Sequence, residues 1–502
     1  MVVPDGRADE RAVVLGGGIA GLAAARLLTR HYRHVVVLER DVRPDTRAAD
    51  AFVGWDRPGV PQFRHSHAFL ARIRQVLLAH LPDVLDRLRD VGVKEIPLLG
   101  VAPPGLTFVP RPEDEDLILL SCRRSTFEWA LRDVVARRPG VTLHEGVIVA
   151  GLVADRGGAG GRPRVTGVRL ADGAVVSAAL VVDASGRRSR APDWLAAVGA
   201  PPIRERTADT GIFYYTRFYR LRQGTRVSRA PRGTTGLVAG DLGWVKLAVF
   251  PGDHDTFSIT VGAPHDEPRL RGLADPKRFE RFLAAFPGMV PWRGRGASTP
   301  LLGPKTPVLV MGQLRNRLRH FVVDGEPVAE NFVAIGDAAY HSNPIYGRGA
   351  TCAVVQATLL DEALARHPGD PYAAARHLHR RSERELRSFW DAAVATDRRM
   401  LGDRRPLSLT DPLGLLVTAA EQGFGWFVDR GMVPASRVDA AVFRGLMRVF
   451  NMLEAPERLL RDPEIVVRSI PVLARVLAGD GPPQQFPAVP RALALARLEH
   501  GG

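Results

Sequence analysis

Cysteine and lysine are the scarce residues of this 502-residue chain. Only Cys122 and Cys352 occur, far apart and outside any CxxC pair, so neither a disulfide framework nor a cysteine zinc site is suggested. Lysine occurs at Lys94, Lys246, Lys277 and Lys305 alone, although Lys and Arg together number 69 and the formal charge is +15. The arginines are spread along the whole chain, which argues against a nucleic-acid surface. No run reaches the roughly 18 apolar residues of a membrane span. The opening MVVPDGRADER lacks the apolar core of a signal peptide, so a cytoplasmic protein is expected. No metal is expected either: His65 and His67, at i and i+2, cannot share a helix face and have no carboxylate close by. What remains, 45% hydrophobic and 25% charged, is the composition of a globular chain long enough for two or three domains.

What is present is organised around residues 11–41, RAVVLGGGIAGLAAARLLTRHYRHVVVLERD. An apolar strand from Ala12 to Leu15 turns through Gly16, Gly18 and Gly21 into an Ala/Leu helix reaching about Arg30. A second strand, Val35 to Leu38, ends at Glu39. In a βαβ unit of this spacing, Gly16 makes the tight turn, Gly18 lets backbone approach a pyrophosphate, and Gly21 lets helix and strand pack closely. The helix N-terminus would face the phosphates, and Glu39 would accept from the adenosine ribose, which disfavours a 2′-phosphate.

Further along, GVPQFRHSH (residues 59–67) forms a shaped loop whose Arg64, His65 and His67 either line a cofactor or hydrogen-bond locally. A short strand from Leu117 to Leu120 precedes a helix that opens at Arg124. Residues 141–180 read as β-rich and lead into DASGRRSR, a strand that brings Asp183 to a small-residue turn. Thr210–Arg222, Leu242–Pro251 and Thr256–Val261 follow as strands without intervening helices, which suggests a separate antiparallel sheet. Phe213 with Tyr215, and Trp244 with Phe250, each share a strand face; such aromatics form either core or substrate wall. At residues 331–350, NFVAIGDAAYHSNPIYGRGA delivers Gly336 and Asp337 from a strand and starts another helix behind a glycine-rich loop. That is a second helix N-terminus for a partial negative charge. Beyond His367 the chain reads as helical, with helix starts at 410–412 and 436–439, a basic stretch at 376–405 that is either a solvated face or a dock for an acidic partner, and a loose tail at 482–490.

Three glycine-bearing sites in this order resemble the FAD-dependent monooxygenases of the para-hydroxybenzoate hydroxylase fold. GVPQFRHSHAFL, DASGRRSR and GDAAYHSNPIYGRGA resemble the bacterial branch of polyene epoxidases and polyketide-tailoring hydroxylases, over roughly residues 11 to 366. The resemblance implies an α/β fold in which a Rossmann-like, glutathione-reductase-type FAD domain (1–75, 117–198, 329–370) interleaves with an antiparallel-sheet substrate domain (76–116, 199–328), with a C-terminal helical region (371–502). It implies that Gly16, Gly18, Ile19, Ala20, Gly21, Glu39 and Arg40 hold the ADP half of FAD. Arg124 would reach the phosphate or ribityl region, and Asp183 would belong to the fingerprint associated with FAD and NAD(P)H, here with Ala184 in place of its glycine. Gly336 and Asp337 would serve the ribityl chain, and Pro344, Gly347, Gly349 and Ala350 the isoalloxazine ring. The chemistry implied is dioxygen activation as a flavin C4a-hydroperoxide, with NAD(P)H as direct or indirect electron source, and no metal or side-chain nucleophile. His65, His67, Tyr340, His341 and Pro344 are the candidates for tuning or orienting groups.

The expected product is a hydroxylated or epoxidised hydrophobic, polyketide-like molecule, with a separate flavin reductase or an acyl carrier protein as possible partners. A flavin-dependent halogenase would carry a Trp-x-Trp-x-Ile-Pro segment, whereas Trp244 and Trp292 stand alone. A prenyl-chain reductase of the same superfamily, and a non-catalytic flavin or carrier-binding module, are the other readings.

Overall fold

The structure is a computed structural model, and it describes residues 8–103, 105–223, 238–293, 298–301, 307–402, 423–482 and 489–499. Its centre is a parallel five-stranded sheet in the order Phe332–Ala334, Leu180–Asp183, Arg11–Leu15, His34–Glu39, Val141–Glu145. The strand Arg11–Leu15 is buried along its length, as expected of a parallel strand covered on both faces. The helix Ile19–Leu28 packs against the helices Gly349–Arg366 and Arg124–Ala136, and its alanines permit that close approach. Segments far apart in sequence thus complete one sheet and one helical layer.

A six-stranded sheet carries the second core; its long central strands are Ile212–Leu221, Lys246–Pro251 and Thr256–Pro264, all antiparallel. One face is apolar. Tyr219 stacks on Phe257, Phe257 meets Trp292, and Trp244 lies edge-on to Phe282 of the amphipathic helix Pro276–Leu283. These aromatics, like Tyr215, belong to or pack against the buried core of this sheet, and none lines the cavity between the two sheets. The opposite face presents hydroxyls: Ser66 bonds Ser258 (2.6 Å) and Thr260 (2.7 Å), and Thr216 bonds His65 (3.2 Å). The sheet therefore grips the 65–67 loop with one side and builds its core with the other.

Asp253, fully buried, straps this sheet to the helix that begins at Arg124. It accepts from the Arg123 backbone (2.8 Å), the Arg123 guanidinium (2.5 Å) and Thr126 (2.7 Å). Burial pushes its carboxyl up, but Arg123 outweighs burial and holds it well below the usual carboxylate range.

The 30-residue helix Pro371–Met400, capped by Asp370, packs on the helix Gly349–Arg366. Several of its arginines are matched by acids: Arg381 with Glu385 and Arg387 with Glu383 and Asp391, so this basic stretch is in good part a self-compensated surface. The expected helix start at 410–412, and residues 403–405 of that stretch, lie outside the described residues. The start expected at Ser436 is made by Asp439 instead, whose side chain accepts from Ala441 (2.9 Å) and Val442 (3.1 Å) and opens the helix Ala440–Phe450. The final helix, Arg491–Glu499, buries Ala494, Leu495 and Leu498 in the core of the six-stranded sheet. It is part of that sheet's packing, separate from the helical cluster around Met432, Val442 and Ile465. Among the described residues no helix is long and apolar enough to cross a membrane.

Candidate active site

One cavity of about 450 Å³ runs between the two sheets, along the C-terminal ends of the parallel strands. Its first end is the opening glycine turn. Gly16 adopts φ +98°, and a Cβ there would lie 2.7 Å from the Ala184 carbonyl. A Cβ at Gly21 would lie 1.9 Å from the Gly16 carbonyl, so helix and turn meet only because both residues are glycine. Gly18, in contrast, faces open space and caps the helix with no side-chain bond. The first N–H groups of that helix are left for a ligand.

The same holds at the other end. The helix Gly349–Arg366 also begins without a side-chain cap, after Gly347 at φ +65°. Both helix starts border the same cavity. Between them Asp337 sits within 3.4 Å of the Gln62 amide nitrogen, while the buried Gln62 carbonyl oxygen has no partner. An elongated, multiply hydroxylated anion with a phosphate near Gly18 and an electron-rich ring near Gly349 satisfies all of these groups. FAD is such a molecule, and the residues present fit it.

Of the residues expected to touch the cofactor, Gly16, Gly18, Ile19, Ala20, Glu39, Arg40, Arg124, Asp337, Pro344, Gly347, Gly349 and Ala350 line the cavity, as do His65, His67 and His341. Four do not. Gly21 serves the turn, and Gly336 donates its N–H to Gln356 (2.8 Å) behind the helix start. Asp183, fully buried, accepts from the Ser185 backbone (3.0 Å) and the hydroxyls of Ser185 and Ser189. It shapes the 184–190 turn, and the cavity is met by Ser185, Arg187 and Arg188 instead. Tyr340 turns away and donates to Glu383.

The sequence reading missed Arg57. Its side chain is completely buried and bonds Glu39, Glu128 (2.5 Å) and the Gly17 carbonyl (3.3 Å), with its plane against Trp55. Glu39 also accepts from the backbone N–H of Gly17 (2.7 Å) and Asp41 (2.9 Å), so its position at the glycine-turn end of the cavity is fixed from three sides. Glu128, buried, accepts in addition from Arg124 (2.6 Å). Burial raises its carboxyl, yet Arg124 and Arg57 prevail and keep it below its ordinary value. Arg124 in turn meets His67 Nε2 (3.2 Å), while His67 Nδ1–H donates to the His65 carbonyl (2.9 Å). That tautomer is neutral, and burial followed by the Arg124 charge lowers the His67 pKa to about 3. Burial and Arg187 likewise lower His65 to about 4.

The ring end is held differently. Asp397, fully buried, accepts from Asn316 (2.7 Å), Tyr346 (2.8 Å) and Asn343 (2.9 Å), and burial raises its pKa. Asn343 accepts from the Tyr214 hydroxyl, which also accepts from Ile345 N–H (3.1 Å). His341 Nδ1–H donates to the Arg315 carbonyl (2.7 Å), leaving Nε2 as its free ring nitrogen.

Comparison with known proteins agrees with this geometry. The NAD(P)-binding Rossmann-like domain family matches residues 14–73, and the tryptophan halogenase family matches residues 120–196. Protein Rv3254 of Mycobacterium tuberculosis is 28% identical over 94% of both chains. Kynurenine 3-monooxygenase of Salinispora arenicola is 28% identical over 74% of this chain and 77% of its own. PqsL of Pseudomonas aeruginosa, a probable FAD-dependent monooxygenase, superposes with a TM-score of 0.52 at 19% identity, covering 79% of this chain and 99% of that one. The chain thus has the fold of FAD-dependent monooxygenases such as PqsL and is similar in sequence to kynurenine 3-monooxygenase, and its cavity fits FAD as the cofactor of an oxidoreductase.

Proposed function

We propose that this enzyme hydroxylates or epoxidises an organic secondary metabolite that enters beside the ring end of the cavity. The observation that carries the reading is the convergence of two uncapped helix starts, at Gly18 and Gly349, on one cavity that ends against Met311, His341 and Pro344. Bound FAD, once reduced, supplies the activation of dioxygen. The protein's share is positional and electrostatic. The Gly349–Arg366 helix start favours negative charge on the ring, His341 offers Nε2, and the Asp397 network fixes the Asn343–Gly347 loop.

The substrate is proposed to be mainly apolar. Support for this comes from Met311 and Pro344, which line that end of the cavity; the aromatic strand faces are core and lend none. The similarity to kynurenine 3-monooxygenase supports hydroxylation. A halogenase is the second reading, favoured by the match of residues 120–196 to tryptophan halogenases.

The test is to purify the chain, record its flavin spectrum, reduce it anaerobically with NADH or NADPH, and follow reoxidation with aromatic and polyketide candidates. A product heavier by one oxygen supports the proposal. Halide-dependent product formation transfers it to the halogenase reading, and a colourless chain that refuses FAD overturns both. Direct reduction by NAD(P)H marks a single-component enzyme; its failure assigns reduction to a separate flavin reductase.

A further inference from the structure

We propose that His320, His379 and Glu383 form a binding site for a divalent transition metal of zinc type, behind the cofactor loop. The helix Pro371–Met400 presents His379 and Glu383 one turn apart on the same face, and the strand Arg315–His320 ends with His320 against them. One ligand atom from each lies within 4.8 Å of the others, and all three residues are half-buried. His320 Nδ1 is 3.9 Å from the nearest Glu383 oxygen. The imidazole centroids are 5.4 Å apart at 73°, an edge-to-face arrangement that leaves ring nitrogens available to a shared ion.

Neither imidazole has a hydrogen-bond partner among the described residues. Glu383, by contrast, is oriented from behind: one oxygen accepts from the Tyr340 hydroxyl and the other from Arg387 (2.9 Å). A carboxylate oxygen has two lone pairs, so the Tyr340 bond leaves one for a metal, and such supporting bonds are the usual companions of ligating carboxylates. Two imidazoles and a carboxylate are a recognised zinc set with a fourth position for water. A nearby His/Glu group on the same helix shows the contrast: His377 spends both nitrogens, on His367 (3.4 Å) and Glu362 (3.4 Å), and forms a hydrogen-bond relay. An ion at the proposed site ties strand to helix behind Tyr340, the chain neighbour of His341, which lines the cofactor cavity. The sequence expectation of no metal rested on the two isolated cysteines and on His65 and His67; the ligands proposed here come from two elements distant in sequence.

The experiment uses the chelator-treated, FAD-loaded full chain titrated with Zn²⁺ by calorimetry and with Co²⁺ by visible absorption. One equivalent and a tetrahedral cobalt band are expected. His320→Gln and His379→Gln should each weaken binding by about tenfold or more, with the flavin spectrum and circular dichroism confirming that each variant is folded. His377→Gln should leave binding unchanged. Failure to bind one equivalent, indifference to both His320→Gln and His379→Gln, or loss of binding in His377→Gln would each overturn the proposal.

Discussion

The two ends of the cavity are built by opposite means. At the nucleotide end, buried charges are matched with buried charges: Glu39 and Glu128 share Arg57, and Arg124 completes the set. At the ring end, the buried carboxylate of Asp397 is held by neutral donors from Asn316, Asn343 and Tyr346. The first arrangement is rigid because removing any member strands a charge. The second costs less to perturb, which suits a loop that must fit a reacting ring and a substrate.

The largest effect that tests this contrast is expected from Arg57→Met. It leaves Glu39 and Glu128 short of their shared cation and should cost about 3–5 kcal/mol in chemical unfolding, with FAD retention falling in parallel. A loss below about 1 kcal/mol would show that the charged end is not rigid. Next comes Gly21→Ala, whose methyl group would collide with the Gly16 carbonyl. Overpacking of this kind costs about 1–3 kcal/mol, and the purified variant should retain little flavin.

The pH dependence of the two ends should have opposite sign. Glu128 has a folded pKa below its unfolded value, so it contributes stability above about pH 4.3 that is lost as pH falls through its folded pKa. The stability difference between wild type and Glu128→Gln should therefore rise with pH across that window. Asp397 has a folded pKa above its unfolded value, so the folded state loses stability as pH rises from about 3.9 through the folded pKa. The difference between wild type and Asp397→Asn should fall with pH. Two slopes of the same sign in acid unfolding curves would erase the distinction. A smaller effect is expected from Tyr214→Phe, which removes the hydroxyl shared by Asn343 and Ile345. About 1 kcal/mol of stability is at stake, and turnover should drop while FAD affinity holds. The smallest expectation is no effect: His65 and His67 titrate near 4 and 3, so neither should impose a pH dependence on the flavin spectrum between pH 5 and 8.

The nucleotide end was legible in sequence because its essential features are local. Gly16 needs its own positive φ and Gly21 must clear the Gly16 carbonyl, demands set within six residues, and the apolar strands on either side declare their burial. Arg57 was not legible, since it lies in an irregular connection with no periodicity, and a buried arginine looks like any other in a chain so rich in them. Asp183 was misplaced because its motif specifies a strand end but not which way the carboxylate points; the serines at 185 and 189 capture it. The aromatic strand residues were readable as one face but not as which face, a choice made by the helix Pro276–Leu283 that covers them. The role of Arg491–Glu499 was hidden for a similar reason: its apolar residues say that it packs, and only the fold says against what.

The order of strands in the central sheet bears on how the enzyme is made. Arg11–Leu15 borders Leu180–Asp183, which in turn borders Phe332–Ala334, and the cavity also needs the helix that starts at Gly349. During synthesis the first glycine turn therefore leaves the ribosome long before the segments that enclose its ligand. Such long-range pairing is slow and leaves apolar edges waiting for partners. Flavin loading is consequently a late event on the assembly route, and a shortage of FAD in the cell should show itself as poor yield of folded enzyme before it shows as poor activity.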